Sequence, residues 1–164
     1  VSSRMSEKAA EIHERKLWFD GPNLTADAIV IDPKHGQILL IQRRDTGQWA
    51  LPGGFIDPDD TDSAQAAIRE VAEETGLRIE DGDAPLVFQG RVDDPRNSSK
   101  AWIETSAHLF LAESDNADVR AGDDAACTKW HDLRSLPELY ASHLAIIDNA
   151  VAYLLGSSAD LDAR

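Results

Sequence analysis

Cysteine is nearly absent from this 164-residue chain: Cys127 stands alone, so no disulfide can form within it, and a reducing interior is its natural setting. No apolar run approaches the ~20 residues that span a bilayer, and the first residues carry no apolar signal core. Together these absences predict a cytoplasmic protein with no membrane partner. Positive charge is scarce as well, with 16 Lys and Arg against 30 Asp and Glu, for a formal net charge of -14. No basic run interrupts that balance, which argues against nucleic acid as a partner, because a phosphate backbone would be repelled. An anionic small molecule would need its counter-charge supplied locally, by a bound cation and a few placed arginines. The histidines at 13, 35, 108 and 131 lack metal-ligand spacing, so zinc is not expected, and His143 reads as a cap or structural residue. Among the few aromatics, Trp49, Trp102 and Trp130 read as core, and Tyr140 is the one expected to stack on a ligand.

What is present suffices for a folded core: 42% of residues are apolar. Residues 1–164 are expected to form one domain, with 1–20 as an N-terminal extension and 156–164 as a loose tail. Residues 6–16 suit a short polar helix, and GPN at 21–23 is a turn signal. The runs ADAIVI (26–31) and QILLIQR (37–43) are β-rich, and DPKHG between them is a hairpin loop with Gly36 at its left-handed position. Further strands are expected at 49–51, 86–92, 102–112 and 128–130. A closing helix is expected at 142–155, packing through Leu144, Ile147, Val151, Leu154 and Leu155. Strands interleaved with two principal helices imply an α/β (α+β) chain, a mixed β-sheet with helices on both faces.

Residues 62–75 switch to helical spacing, with Thr61, Asp62 and Ser63 as N-cap candidates and Gly76 as the terminating residue. The inward stripe reads Ala64, Ile68, Val71 and Thr75. Glu70, Glu73 and Glu74 then fall at i, i+3 and i+4, on one acidic face. Like charges at that spacing cost an isolated helix roughly 0.2–0.5 kcal/mol per pair. Two of them also sit in the last turn, where the helix dipole prefers cations. A solvated face is one reading; a site for a hard cation such as Mg²⁺, which binds few carboxylates plus substrate phosphates, is the other. Just upstream, Gly53 and Gly54 follow a short strand and leave backbone open to a ligand.

The stretch LPGGFIDPDDTDSAQAAIREVAEETGL (51–77) resembles the Nudix box, G-x5-E-x7-R-E-U-x-E-E-x-G-U with U apolar. Gly54, Arg69, Glu70, Val71, Glu73, Glu74, Gly76 and Leu77 match. One residue too many precedes Arg69, and Asp60 stands nearest the place of the first glutamate. The resemblance implies a Nudix fold, an α/β/α sandwich, and hydrolysis of nucleoside diphosphates linked to another moiety. It assigns catalysis to Arg69, Glu70, Glu73 and Glu74, and metal binding to Gly53, Glu70, Glu73 and Glu74. Mg²⁺ is the implied cofactor, with Mn²⁺ as a substitute. Candidates for the general base are Glu70, Glu73, Glu104 and Asp124.

GPN (21–23), GRVDDPRNSSKAWIET (90–105), AGDDAACTKW (121–130) and LYASH (139–143) are similar to ADP-ribose pyrophosphatases of the mitochondrial type and to a related domain of ADP-ribose-gated cation channels. This second resemblance implies that Asp94, Arg96, Leu139 and Tyr140, with Gly54, contact ADP-ribose, which would be cut to AMP and ribose 5-phosphate. From the residues alone, Arg96 offers a planar fork to phosphate or ribose oxygens, or locks a loop through Asp94. Two other functions stand beside the first: cleavage of another conjugate, such as a dinucleotide or sugar nucleotide, and non-catalytic sensing of ADP-ribose. Retention of Arg69, Glu70, Glu73 and Glu74 together favours an enzyme.

Overall fold

The computed structural model describes residues 17–162 except 81, 117, 123 and 124, so the helix expected at 6–16 lies outside the described residues. Seven strands and two α-helices follow one another as β1 (Gly21–Asp32), β2 (Gln37–Arg43), β3 (Trp49–Ala50), β4 (Gly53–Phe55), α1 (Ser63–Thr75), β5 (Leu86–Arg91), β6 (Ala101–Leu111), β7 (Ala125–Asp132) and α2 (His143–Asp162). A turn of 3-10 helix at Ser114–Asn116 follows β6.

All seven strands join one mixed sheet of order β3-β2-β1-β6-β5, with β4 also on β1 and β7 also on β2. β1 runs parallel to β6 from Gly21 opposite Ala101 to Ile31 opposite Leu111, which occupies one of its edges. The other edge is divided: Thr25, Ala26 and Asp27 pair with β4, whereas Ile31 and Asp32 pair with β2. β2 and β4 therefore diverge from a common strand.

Alternation along β1 sends residues to both faces. On one face Ala26, Ala28 and Val30 meet Ala66, Ala67 and Val71 of α1, the small alanines on each side letting helix and sheet approach closely. On the other, Ile29 and Ile31 join Ile38, Leu40 and Leu109 under Ile146, Ile147 and Ala150 of α2. The result is the expected α/β/α sandwich. No helix among the described residues is long and apolar enough to cross a membrane.

Several boundaries differ from the sequence reading. GPN opens β1 rather than forming a turn; Asn23 accepts from the Phe19 N–H and donates to the Phe19 carbonyl, so the turn lies just before it. Gly53 and Gly54 belong to a strand, not a loop. The buried face of α1 is Ala66, Ala67, Val71, Glu74 and Thr75, rotated from the predicted Ala64 and Ile68 stripe. In α2, Ile147, Val151 and Leu154 pack on the core as expected, whereas Leu144 and Leu155 are exposed and Ile146 and Ala150 are buried in their place. That helix continues through Asp162 rather than stopping at Leu155.

Candidate active site

Local chemistry fixes α1 at both ends. The Asp62 side chain accepts from the Gln65 N–H as N-cap, and Gly76 stops the helix at φ 77°, a left-handed conformation that suits glycine. The last carbonyls are not left bare, since the Arg120 and Gly122 N–H groups donate to those of Thr75 and Glu74.

The three acids are not equivalent. Glu74 is buried at 8% exposure, the Glu70 side chain is 14% exposed and that of Glu73 43%. Glu70 and Glu74 share a hydrogen bond, whereas Glu73 turns aside to Arg69. The uniform outward acidic face expected from spacing is thus a buried pair with a third acid at its rim. Burial first, then the hydrogen bond and charge of Glu70, push the Glu74 carboxyl up to about 9. Burial likewise raises Glu70. Two such carboxyls call for a positive charge beside them.

Arg69 supplies part of it from behind. Its Nε and Nη2 donate to the two Asp60 carboxylate oxygens at 3.0 Å each, its Nη1 to Glu70 and Glu73 at 3.0 and 3.2 Å, and its Nη2 to the Phe55 carbonyl at 3.2 Å. Those bonds engage all five guanidinium donors. Arg69 holds Glu70 and Glu73 in position, its donors all engaged by protein acceptors. The extra residue of the box is taken up in a tight turn, where Asp57 and Asp60 exchange hydrogen bonds, so Asp60 still reaches Arg69.

The glycine pair is explained by the same neighbourhood. A Cβ on Gly53 would strike Asp27 Oδ1 and the Ala26 carbonyl, and one on Gly54 would lie 2.7 Å from Glu70 Oε1. With that space open, the Gly53 N–H donates to Glu74 Oε1 at 3.3 Å. Asp27, in the middle of the apolar β1 run, is buried and accepts from Thr105 Oγ1 at 2.7 Å.

Gly53, Gly54, Glu70, Glu73 and Glu74 open on a cavity of about 790 Å³ that Asp94, Arg96 and Tyr140 also line. That volume suits a nucleotide-sized ligand. Asp94 receives the Arg96 N–H and Nε on one oxygen, at 2.8 and 2.9 Å, and Arg96 Nη2 and the Tyr140 hydroxyl on the other, both at 3.1 Å. Tyr140 is only 4% exposed, and the Arg43 guanidinium lies 4.0 Å over its ring, so its expected stacking on a base is displaced by Arg43. Leu139 is not among the lining residues: it packs against the core under α2, and its backbone bridges to Trp49. Glu104 bonds the Trp102 indole and is likewise not a lining residue, while Asp124 is outside the described residues.

Sequence reasoning passed over Asp27 and Arg43 and read His143 as structural. An acid inside an apolar strand was the available signal for Asp27; nothing local marks Arg43. His143 does have that structural role, its Nδ1 accepting from the Leu51 N–H at 2.9 Å, and it also lines the cavity. Burial holds its imidazole below the ordinary range.

Among the described residues no three His, Cys, Asp or Glu side chains form a ready metal cage. Two close carboxylates beside an open glycine strand nevertheless match what Mg²⁺ uses, since it keeps waters and substrate oxygens for most of its shell. The raised Glu70 and Glu74 carboxyls, and the Glu70 carboxylate lying against Gly54 where a Cβ would not fit, both suit a cation there.

The NUDIX domain family model matches residues 21–150. The chain is 34% identical to the mitochondrial ADP-ribose pyrophosphatase of Rattus norvegicus, over 77% of this chain and 47% of that protein. It is 32% identical to an ADP-ribose pyrophosphatase of Methanocaldococcus jannaschii, over 91% of this chain and 84% of that protein. A putative nudix hydrolase of Caenorhabditis elegans is 38% identical, over 78% of this chain and 54% of its own length. The chain thus spans about half the length of the rat and nematode relatives. Among solved structures, the NUDIX domain of Shewanella oneidensis NrtR, in complex with ADP ribose, superposes with a TM-score of 0.69 at 25% identity, covering 88% of this chain and 97% of that one. By its acid helix, its fold and these likenesses, the chain belongs to the NUDIX domain family.

Proposed function

We propose that this chain hydrolyses the diphosphate of ADP-ribose, giving AMP and ribose 5-phosphate, with Mg²⁺ as cofactor and Mn²⁺ as its substitute. The observation that carries this reading is the buried Glu70 and Glu74 pair, short of positive charge, in the lining of a nucleotide-sized cavity. The likeness to ADP-ribose pyrophosphatases and to an ADP-ribose-bound domain supports the substrate. Small nucleoside diphosphate conjugates, rather than nucleic acid or membrane, are its partners. The single cysteine supports a reducing compartment, the cytoplasm.

Glu70 and Glu74, with the Gly53 carbonyl and Glu73 at the rim, would hold the cation, which when bound supplies charge neutralisation to the diphosphate. Arg69 keeps Glu70 and Glu73 oriented through Nη1. Glu70 and Glu73 line the cavity and are the candidates for accepting the proton of the attacking water. Asp94, fixed by Arg96 and Tyr140, would offer carboxylate oxygens to ribose hydroxyls, and Arg96 would serve the phosphates.

The test is chromatography of products after incubating the protein with Mg²⁺ and a panel of diphosphate conjugates. AMP and ribose 5-phosphate from ADP-ribose, at the highest kcat/KM of the panel, are expected. A higher value for a dinucleotide or sugar nucleotide would reassign the substrate. Tight ADP-ribose binding with no cleavage would make the chain a sensing module.

A further inference from the structure

Three arginines line the cavity, against seven acids: Asp27, Asp45, Asp57, Glu70, Glu73, Glu74 and Asp94. A diphosphate entering it needs cationic donors beyond the metal end. Arg96 spends its backbone N–H, Nε and Nη2 on Asp94. Arg44 is exposed and tethered by Nε to the Ala125 carbonyl.

Arg96 also lies over the Phe55 ring at 5.5 Å, and Arg43 is held in the same manner, on two sides at once. Its Nε and Nη2 donate to the two Asp45 carboxylate oxygens at 3.0 and 2.8 Å. Its guanidinium plane rests on the Tyr140 ring at 4.0 Å. Asp45 sits at the rim with a side chain 61% exposed, so water screens its charge, while Arg43 itself is 25% exposed. In a guanidinium whose Nε and Nη2 edge is engaged, Nη1 lies on the opposite side. Nη1 has no protein partner among the described residues, so the free edge is turned from the rim carboxylate, in a cavity that Arg43 lines.

We propose that Arg43 is a further substrate-binding residue, whose clamped guanidinium donates through Nη1 to the phosphate of the ribose proposed for Asp94, since Tyr140 joins Arg43 to Asp94. The inference rests on the reading of the cavity as a diphosphate site and adds a residue to it. Clamping by Asp45 and Tyr140 fixes the orientation before the ligand arrives, so little side-chain freedom is lost on binding. The same contact makes the site read the phosphate and not the base.

Equilibrium titrations with ribose 5-phosphate and, separately, with adenosine test this without depending on turnover. Arg43→Gln is expected to weaken ribose 5-phosphate by about tenfold or more, as for loss of a hydrogen bond to a charged group. Arg43→Lys, which keeps the charge and loses the fork, should recover part of that loss. Adenosine affinity should not change in either variant, and melting curves should confirm that both fold. Unchanged ribose 5-phosphate affinity in Arg43→Gln would overturn the proposal. So would an equal loss of adenosine, which would make Arg43 a wall or stacking residue, or a lysine variant no better than glutamine. Should wild type bind ribose 5-phosphate through Arg43 and yet leave ADP-ribose uncut, the proposed hydrolysis fails while this contact stands.

Discussion

Asp60 grips Arg69 through two parallel hydrogen bonds of 3.0 Å, Oδ1 to Nε and Oδ2 to Nη2. The arginine in turn touches Glu70 and Glu73, so an acid outside the helix sets the aim of acids on it. Asp60→Ala is expected to lower kcat/KM about 10- to 100-fold by misplacing the acids, with a smaller effect on folding. Asp60→Glu, which can regain the fork, should restore most of the rate. Equal loss in both variants would show that the pair does not position the site.

Glu74 predicts a pH dependence of stability in metal-free protein. Its folded value, about 9, lies above the ordinary value near 4.3, so the folded state binds the extra proton across that window. The sign follows: this group costs nothing below about pH 4, and its cost grows as pH rises toward about 9. A divalent cation competes with that proton. The gain in Tm on adding Mg²⁺ should therefore increase from pH 5 to pH 9 in thermal melts. A gain independent of pH would count against Glu74 as a ligand.

Glu74→Gln imitates the protonated acid in shape and hydrogen bonding. Metal-free Tm at neutral pH should be equal to or above wild type, while the Mg²⁺-dependent gain disappears. Turnover of ADP-ribose should drop by about 10²- to 10⁴-fold. Near-normal turnover in this variant would dismiss the buried pair as the reacting end.

The neighbouring glycines should fail in different ways. Gly54→Ala meets first the Glu70 carboxylate, the end of a side chain, so stability should change by about 1 kcal/mol or less while Mg²⁺ affinity falls. Gly53→Ala meets Asp27 and a backbone carbonyl, so β4 must move off β1 at a cost of about 1–3 kcal/mol. Denaturation and metal titration of the two variants side by side would show whether this order holds.

Elements governed by local chemistry were legible in the sequence. The Gly36 turn at φ 63°, the bounds of β2, and α1 with its Asp62 cap and Gly76 stop follow from residues within a few positions of each other. What escaped depends on distant neighbours. That the glycine pair forms a strand of its own was not legible, because the atoms that require glycine, on Ala26, Asp27 and Glu70, reach it only through the β1 pairing and the packing of α1. The α1 stripe was rotated because alanine at 64, 66 and 67 carries no clear sign of which side is inward, and sheet contacts decide it. Glu74 was read as outward because spacing groups it with Glu70 and Glu73, whereas burial and the Gly53 N–H draw it in. Tyr140 lost its stacking role to Arg43, which stands at the end of β2 and enters the site only through the tertiary fold.

The forked edge of β1 separates two tasks. One tine, β4 with α1, carries Glu70, Glu73 and Glu74, to which the proposed hydrolysis is assigned; the other, β2, ends at Arg43 beside Tyr140. Altering the length of the tip at residues 44–48 would reshape the grip while the blade stays set. Such a layout leaves the tip free to vary in length without disturbing the pairing of β4 with β1.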